Sequence, residues 1–252
     1  MAEKRQRREK KGSPQGAALI PIQHQVERAA GDFRRGVPVL FRDSRDKSAD
    51  SKITLAFAAE TLDEKTFERF RQSSDDSFVM LLTSARAATL KIRLYTPDVV
   101  GIALEPDADA KRILAIADPA SDLDQPLKGP FDALRGDLPP AARAAIGLAK
   151  LAGLLPAVLA VSVSEAFVSA LDGNILTIRS DDVLSFENDA ARTLQLVARA
   201  RLPLDGAASC ELVSFRPADG GVEHHAILIG ESGGPSLASP GPVLTRLHSE
   251  CF

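Results

Sequence analysis

The sequence predicts an α/β (α+β) domain followed by the opening of a second, mainly β domain. Three observations carry that reading. Between about residues 18 and 195, stretches with apolar side chains at helical spacing alternate with short, wholly apolar runs. From Leu202 onward the texture changes to extended runs around a Gly-rich turn. No internal repeat interrupts either pattern.

In chain order, "HQVERAAGDFRRG" sets Val26, Ala29, Ala30 and Phe33 on one helical face, with Gly36 suited to the position after the helix end. "VPVLFR" (37–42) and "KITLAFAAE" (52–60) read as strands. Thr61-Leu62-Asp63-Glu64 has the spacing of a capping box, opening a helix that buries Phe67 and Phe70. "FVMLL" (78–82) reads as a strand covered on both faces. Residues 105–137 are rich in Asp and Pro and predict loops with short helices. "PPAARAAIGLAKLAGL" (139–154) has proline at a helix start and Gly153 at its end. "PAVLAVSV" (156–163) and "NILTI" (174–178) are further strands, and Ser180-Asp181-Asp182 caps a helix expected from Val183 to Arg199. "ASCELVSFRP" and "VEHHAILIGE" flank "ADGG" as a hairpin, and "PVLTRLH" (242–248) is a third extended run.

The chain has 252 residues, 44% hydrophobic and 26% charged, with no Trp, one Tyr and 11 Phe, so its core is mainly aliphatic. The net charge of −3 gives no reason to expect nucleic-acid binding across the whole surface. Residues 1–12 carry six Lys or Arg against two Glu. Such a stretch is either a solvated, disordered tail or an arm for an acidic partner, and its lack of apolar residues favours the first. No apolar run approaches the roughly 20 residues of a membrane span, and no apolar segment makes the tail a secretory signal. Two cysteines 41 positions apart suggest a reduced, cytoplasmic protein.

The most chemically loaded stretch is "RLHSEC". Arg246 offers a planar donor fork suited to phosphate. His248, Ser249 and Glu250 follow as three consecutive polar groups, and Cys251 is a possible thiolate ligand. His24 reads as a surface residue of the first helix. His224 and His225 are adjacent on a strand and point to opposite faces, so they do not share a metal. Cys210 alternates with Leu212 and reads as core.

"ARARLPLDG…SFRPADGGVEHHAILIGE…GPVLTRLHSEC" resembles the N-terminal part of GTP cyclohydrolase II, whose chains carry an "EHxAL" strand and then "PVLVRVHSECLTGD". The match spans roughly residues 199–252. It implies that Arg246, Leu247, His248, Ser249 and Glu250 line bound GTP and that Cys251 is the first of three zinc-binding cysteines. In that family zinc assists the opening of the GTP imidazole ring, with release of formate and pyrophosphate. The family's Cys-x-Cys pair and its catalytic Asp and Arg have no counterpart here, so the chain is expected to be an incomplete fragment without catalytic residues of its own.

That enzyme is often fused behind 3,4-dihydroxy-2-butanone-4-phosphate synthase. "VERAAGDFRRGVPVLFRDSRDKSADSKITLAFAAET", "KLAGLLPAVLAVSV" and "NILTIRSDDVLSF" are similar to synthase segments in order and spacing. The departures fall on the chemistry. The family's Glu-Asn-Glu-Gly-Asp type loop is replaced by "SRDKSADSK" (44–52), with Asp46 and Asp50 but no Glu or Gly. The family's metal-binding His falls on Ala141 and its Thr on Ala142, and an alanine neither coordinates a metal nor moves a proton. The resemblance therefore implies a basic tail (1–17), a degenerate synthase-like domain (18–195) and the β-rich start of a cyclohydrolase II domain (196–252). The alternative is a non-catalytic regulatory protein built on the synthase-like fold. Synthase-like domains commonly dimerise, so the resemblance implies a homodimer; the regulatory alternative would use the domain to dimerise or to hold a partner enzyme.

Overall fold

The computed structural model describes residues 22–43, 53–73, 77–171, 173–207, 209–217, 222–229 and 244–248. The chain divides into two compact units, with the boundary after Leu184.

The first unit is built on a six-stranded sheet of order β4-β3-β5-β2-β1-β6. Its strands are β1 (Val39–Arg42), β2 (Ile53–Ala58), β3 (Val79–Thr83), β4 (Val99–Ala103), β5 (Ala157–Val163) and β6 (Thr177–Arg179). Only β1 and β6 run parallel; every other pairing is antiparallel. All six residues of β2 are buried, because helices cover both faces of the sheet. Toward one face β2 presents Ile53, Leu55 and Phe57. These join Met80, Leu82, Val100, Ile102, Leu159 and Val161 in a core closed by Phe67 of α2 (Glu64–Ser73) and by Ile113 and Ile116 of α4 (Ala110–Ala117). Phe57 meets Phe67 and Phe70 edge-on at 6.1 and 5.4 Å, and Phe67 meets Phe78 at 5.1 Å. Each such side chain contributes about 1.5–3 kcal/mol by leaving water.

The opposite face of β2 is small: Thr54, Ala56 and Ala58. α1 (Ile22–Arg34) and the alanine-rich α5 (Pro140–Leu151) pack together and against the sheet. Alanines on helix and strand let the two backbones approach closely. Both helices end in the same device. After α1, Gly36 (φ 73°) donates to the Phe33 carbonyl and Val37 to that of Asp32. After α5, Gly153 (φ 70°) donates to Lys150 and Leu154 to Ala149. At Gly36 a second constraint applies, since an added Cβ would lie 2.4 Å from the Thr61 carbonyl oxygen.

Thr61 is not the helix cap that its spacing predicts. Its hydroxyl donates to the Phe33 carbonyl at 2.5 Å, tying the turn before α2 to the end of α1. Asp63 caps α2 instead, accepting from Thr66 N at 2.8 Å; hydrogen bonds from the Thr66 side chain and amide hold its carboxyl below the usual range. Glu64 reaches away to accept from Ala110 N at the start of α4. Strand β4 and helices α3 (Ser84–Thr89) and α6 (Glu165–Ala170) lie in stretches the sequence reading left unassigned.

A buried charge cluster organises the far end of this unit. Arg86 of α3, 8% exposed, donates Nε to Ile116 O at 2.9 Å and grips Asp122 with both guanidinium arms, at 2.5 and 2.8 Å. Lys128, 3% exposed, binds the same carboxylate and the Ser121 hydroxyl. Asp122 closes the short 3-10 turn Pro119–Asp122. These bonds fix the segment that then runs along the edge of β4, where Ala103 N donates to Asp132 O and Leu134 N to Gly101 O. The edge strand is thereby covered.

The second unit holds an antiparallel sheet of order β7-β8-β9. Its strands are β7 (Gln195–Arg201), β8 (Cys210–Arg216) and β9 (His224–Ile229). The expected hairpin is β8–β9. The expected helix from Val183 to Arg199 is shorter: α7 spans Ser180–Arg192 and β7 follows. The third strand is thus β7, whereas residues 244–248 form no strand.

Two outcomes test this packing. Gly36→Ala should destabilise by at least the roughly 1–3 kcal/mol of a left-handed non-glycine residue, read as a fall in Tm, while Gly31→Ala within α1 should not. The cations around Asp122 depress its pKa, so its contribution to stability is present above the ordinary carboxylate range and lost as pH falls below about 4. Acid unfolding of Asp122→Asn should lack that part of the transition, and the variant should be less stable at pH 7 because two buried cations lose their partner.

Candidate functional site

The "RLHSEC" run is described only in part. Arg246, Leu247 and His248 are exposed, and Leu247 is 95% exposed. Ser249, Glu250 and Cys251 lie outside the described residues, as do the basic tail and the acidic-loop segment 44–52.

The hairpin histidines are exposed neighbours on β9. His225 stands opposite Ser214 in the β8–β9 register, and its Nδ1 lies 2.9 Å from the Ser214 hydroxyl. His224 stands opposite Phe215, on the other side of the strand. Glu223 is held by Arg216, which lowers its pKa. His24 is exposed on α1, and Cys210 is a buried free thiol at 4% exposure. His24 thus lies on the surface and Cys210 in the core, as the sequence predicts.

Among the described residues, no three His, Cys, Asp or Glu side chains converge as a metal would require. With Cys210 packed in the sheet, the chain offers one further thiolate, and a tetrahedral zinc site needs three or four donors. These residues do not by themselves fit a zinc centre.

In the first unit the two alanines singled out at the start of the alanine-rich helix are packing positions. Ala141 and Ala142 are each 1% exposed at the beginning of α5. The capping residue Pro139 has no side-chain bond to give, and its carbonyl accepts from Ala142 N. Sequence reading missed a second local feature. Arg42, at the end of β1, forms a two-armed ion pair with Glu165, the first residue of α6. Arg42 lowers the Glu165 pKa and Glu165 raises that of Arg42, the hydrogen bond being the main cause in each case. The pair fills the donor fork of Arg42, which would have to give up Glu165 to hold a phosphate. At 123 residues of separation, no sequence spacing reveals it.

No family model matches the chain. It is 33% identical over 231 residues to GTP cyclohydrolase-2 of Azospirillum brasilense, covering 90% of this chain and 57% of that protein. It is 26% identical over 262 residues to riboflavin biosynthesis protein RibBA of Mycobacteroides abscessus, covering 90% and 62%. The chain thus spans little more than half the length of these curated relatives. Among solved structures it is similar to RibBX, a two-domain 3,4-dihydroxy-2-butanone 4-phosphate synthase from A. baumannii. That likeness has a TM-score of 0.49 and 18% identity, over 82% of this chain and 70% of that one. A 3,4-dihydroxy-2-butanone 4-phosphate synthase in complex with two magnesium ions gives a TM-score of 0.48 at 16% identity, over 66% and 97%. The sequence likeness is therefore to riboflavin-biosynthesis proteins.

If Ala141 is a packing position, Ala141→His should overfill the α5 interface and cost about 1–3 kcal/mol. A thermal melt unchanged by the substitution would instead show room for a ligating side chain.

Proposed function

We propose that this chain supplies part of a riboflavin-pathway GTP cyclohydrolase II. Arg246 to Glu250 would lie along GTP, and Cys251 would be one zinc ligand of a site whose other donors are not among these residues. The observation that carries this is the 33% identity to GTP cyclohydrolase-2 of Azospirillum brasilense across nine-tenths of the chain, joined to the "RLHSEC" run. Within that reading the planar fork of Arg246 binds a phosphate and the polar run orients the nucleotide.

The synthase-like unit is non-catalytic in this proposal. The buried methyl groups of Ala141 and Ala142 support that, as does the engagement of Arg42 by Glu165. Its role would be to fold, to pair with a second copy and to carry the cyclohydrolase segment, in a cytoplasmic homodimer. No helix among the described residues is long and apolar enough to cross a membrane.

The natural gene product, loaded with zinc, should release formate and pyrophosphate from GTP, and should form no dihydroxybutanone phosphate from ribulose 5-phosphate with magnesium. Arg246→Ala should lower GTP turnover by about 100-fold, the scale of losing one oriented donor. Cys251→Ser should lose bound zinc together with activity. Folded, zinc-loaded protein that leaves GTP intact would overturn the assignment.

A further inference from the structure

The first unit holds a concavity of about 380 Å3. One wall is the segment after α3, with Lys91, Arg93 and Tyr95; the other is the segment along β4, with Asp132 and Arg135. The guanidinium of Arg93 lies 5.3 Å from the centre of the Tyr95 ring and that of Arg135 5.8 Å. Beyond these ring contacts, the side chains of Lys91, Arg93 and Arg135 have no hydrogen bond or ion pair among the described residues. Asp132 is the one carboxylate on the lining. Three uncommitted cations against one carboxylate give the concavity a positive potential, and Tyr95 holds two donor forks beside one ring.

The backbone adds an independent observation. Lys91 has φ 59°, the only non-glycine with positive φ among the described residues. Its amide donates to Ala88 O and that of Ile92 to Ala87 O, so α3 closes with the same pair of bonds that end α1 and α5. There the left-handed position is glycine; here it is lysine. An exposed cation beyond a helix end gains little that a right-handed position would not also give. A strained cation on the rim of a basic concavity points to a ligand.

We propose that Lys91, Arg93 and Arg135 form a binding site for a small phosphate-bearing anion, with Tyr95 positioning the two guanidinium groups. The phosphate oxygens accept from both forks and from the Lys91 ammonium. The site shares no residue with the Arg246–Glu250 run and does not depend on the GTP reading.

The chain has one tyrosine and no tryptophan, so intrinsic fluorescence reports on this site alone. Titrating the protein with inorganic pyrophosphate should give a saturable change in Tyr95 emission that sodium chloride at equal ionic strength does not reproduce. Arg135→Gln should weaken binding about 10-fold. Lys91→Gly should weaken binding several-fold while raising Tm by about 1–4 °C, because glycine relieves the backbone. A linear or salt-reproduced response overturns the site, as does unchanged affinity in both variants. A lower Tm for Lys91→Gly overturns the argument from strain. Phosphate, pyrophosphate and a sugar phosphate compared in the same titration distinguish a free anion from an ester.

Discussion

The fold of the first unit depends on strand β2 being buried from end to end. A strand with no wet face needs a covering layer on each side, and the two layers found here differ in kind. Toward Ile53, Leu55 and Phe57 the cover is bulky, closed by phenylalanines meeting edge to face. Toward Ala56 and Ala58 it is thin, made of a helix whose buried positions are mostly alanine. The asymmetry also shapes α5, whose methyl groups at Ala141, Ala142, Ala144, Ala145 and Ala149 are all buried and let the helix sit close to the sheet.

The periphery depends on a different interaction. Asp122 gathers Arg86 and Lys128, two cations that burial would otherwise leave unpaired. Their shared carboxylate turns the Asp- and Pro-rich stretch into a fixed connection and delivers the segment that shields β4. The Lys91–Arg135 concavity lies between that segment and the one following α3, so its geometry is set by a cluster that takes no part in binding.

Much of this was legible in the sequence because the deciding forces were local. Gly36 and Gly153 mark helix ends through their backbone freedom, and the apolar runs of β2, β3 and β5 announce two covered faces. Errors arose where distant partners decided. Thr61 has the right neighbours for a cap but finds the Phe33 carbonyl first. "QLVARAR" is made largely of good helix formers, yet pairing with β8 makes it a strand, which tertiary context commonly does to local preference. Of the proposed site, "RLHSEC" was readable because its residues are contiguous. Arg42–Glu165 and Lys91–Arg135 join residues far apart in the chain, and no spacing rule brings them together.

The buried thiol of Cys210 has a consequence for how the second unit moves. Its sulfur is sheltered on the middle strand of a three-stranded sheet, with β7 on one side and β9 on the other. A thiol reagent reaches it only when its surroundings open, so its reaction rate reports that local opening. The side chain that packs the strand thus also keeps a clock on it.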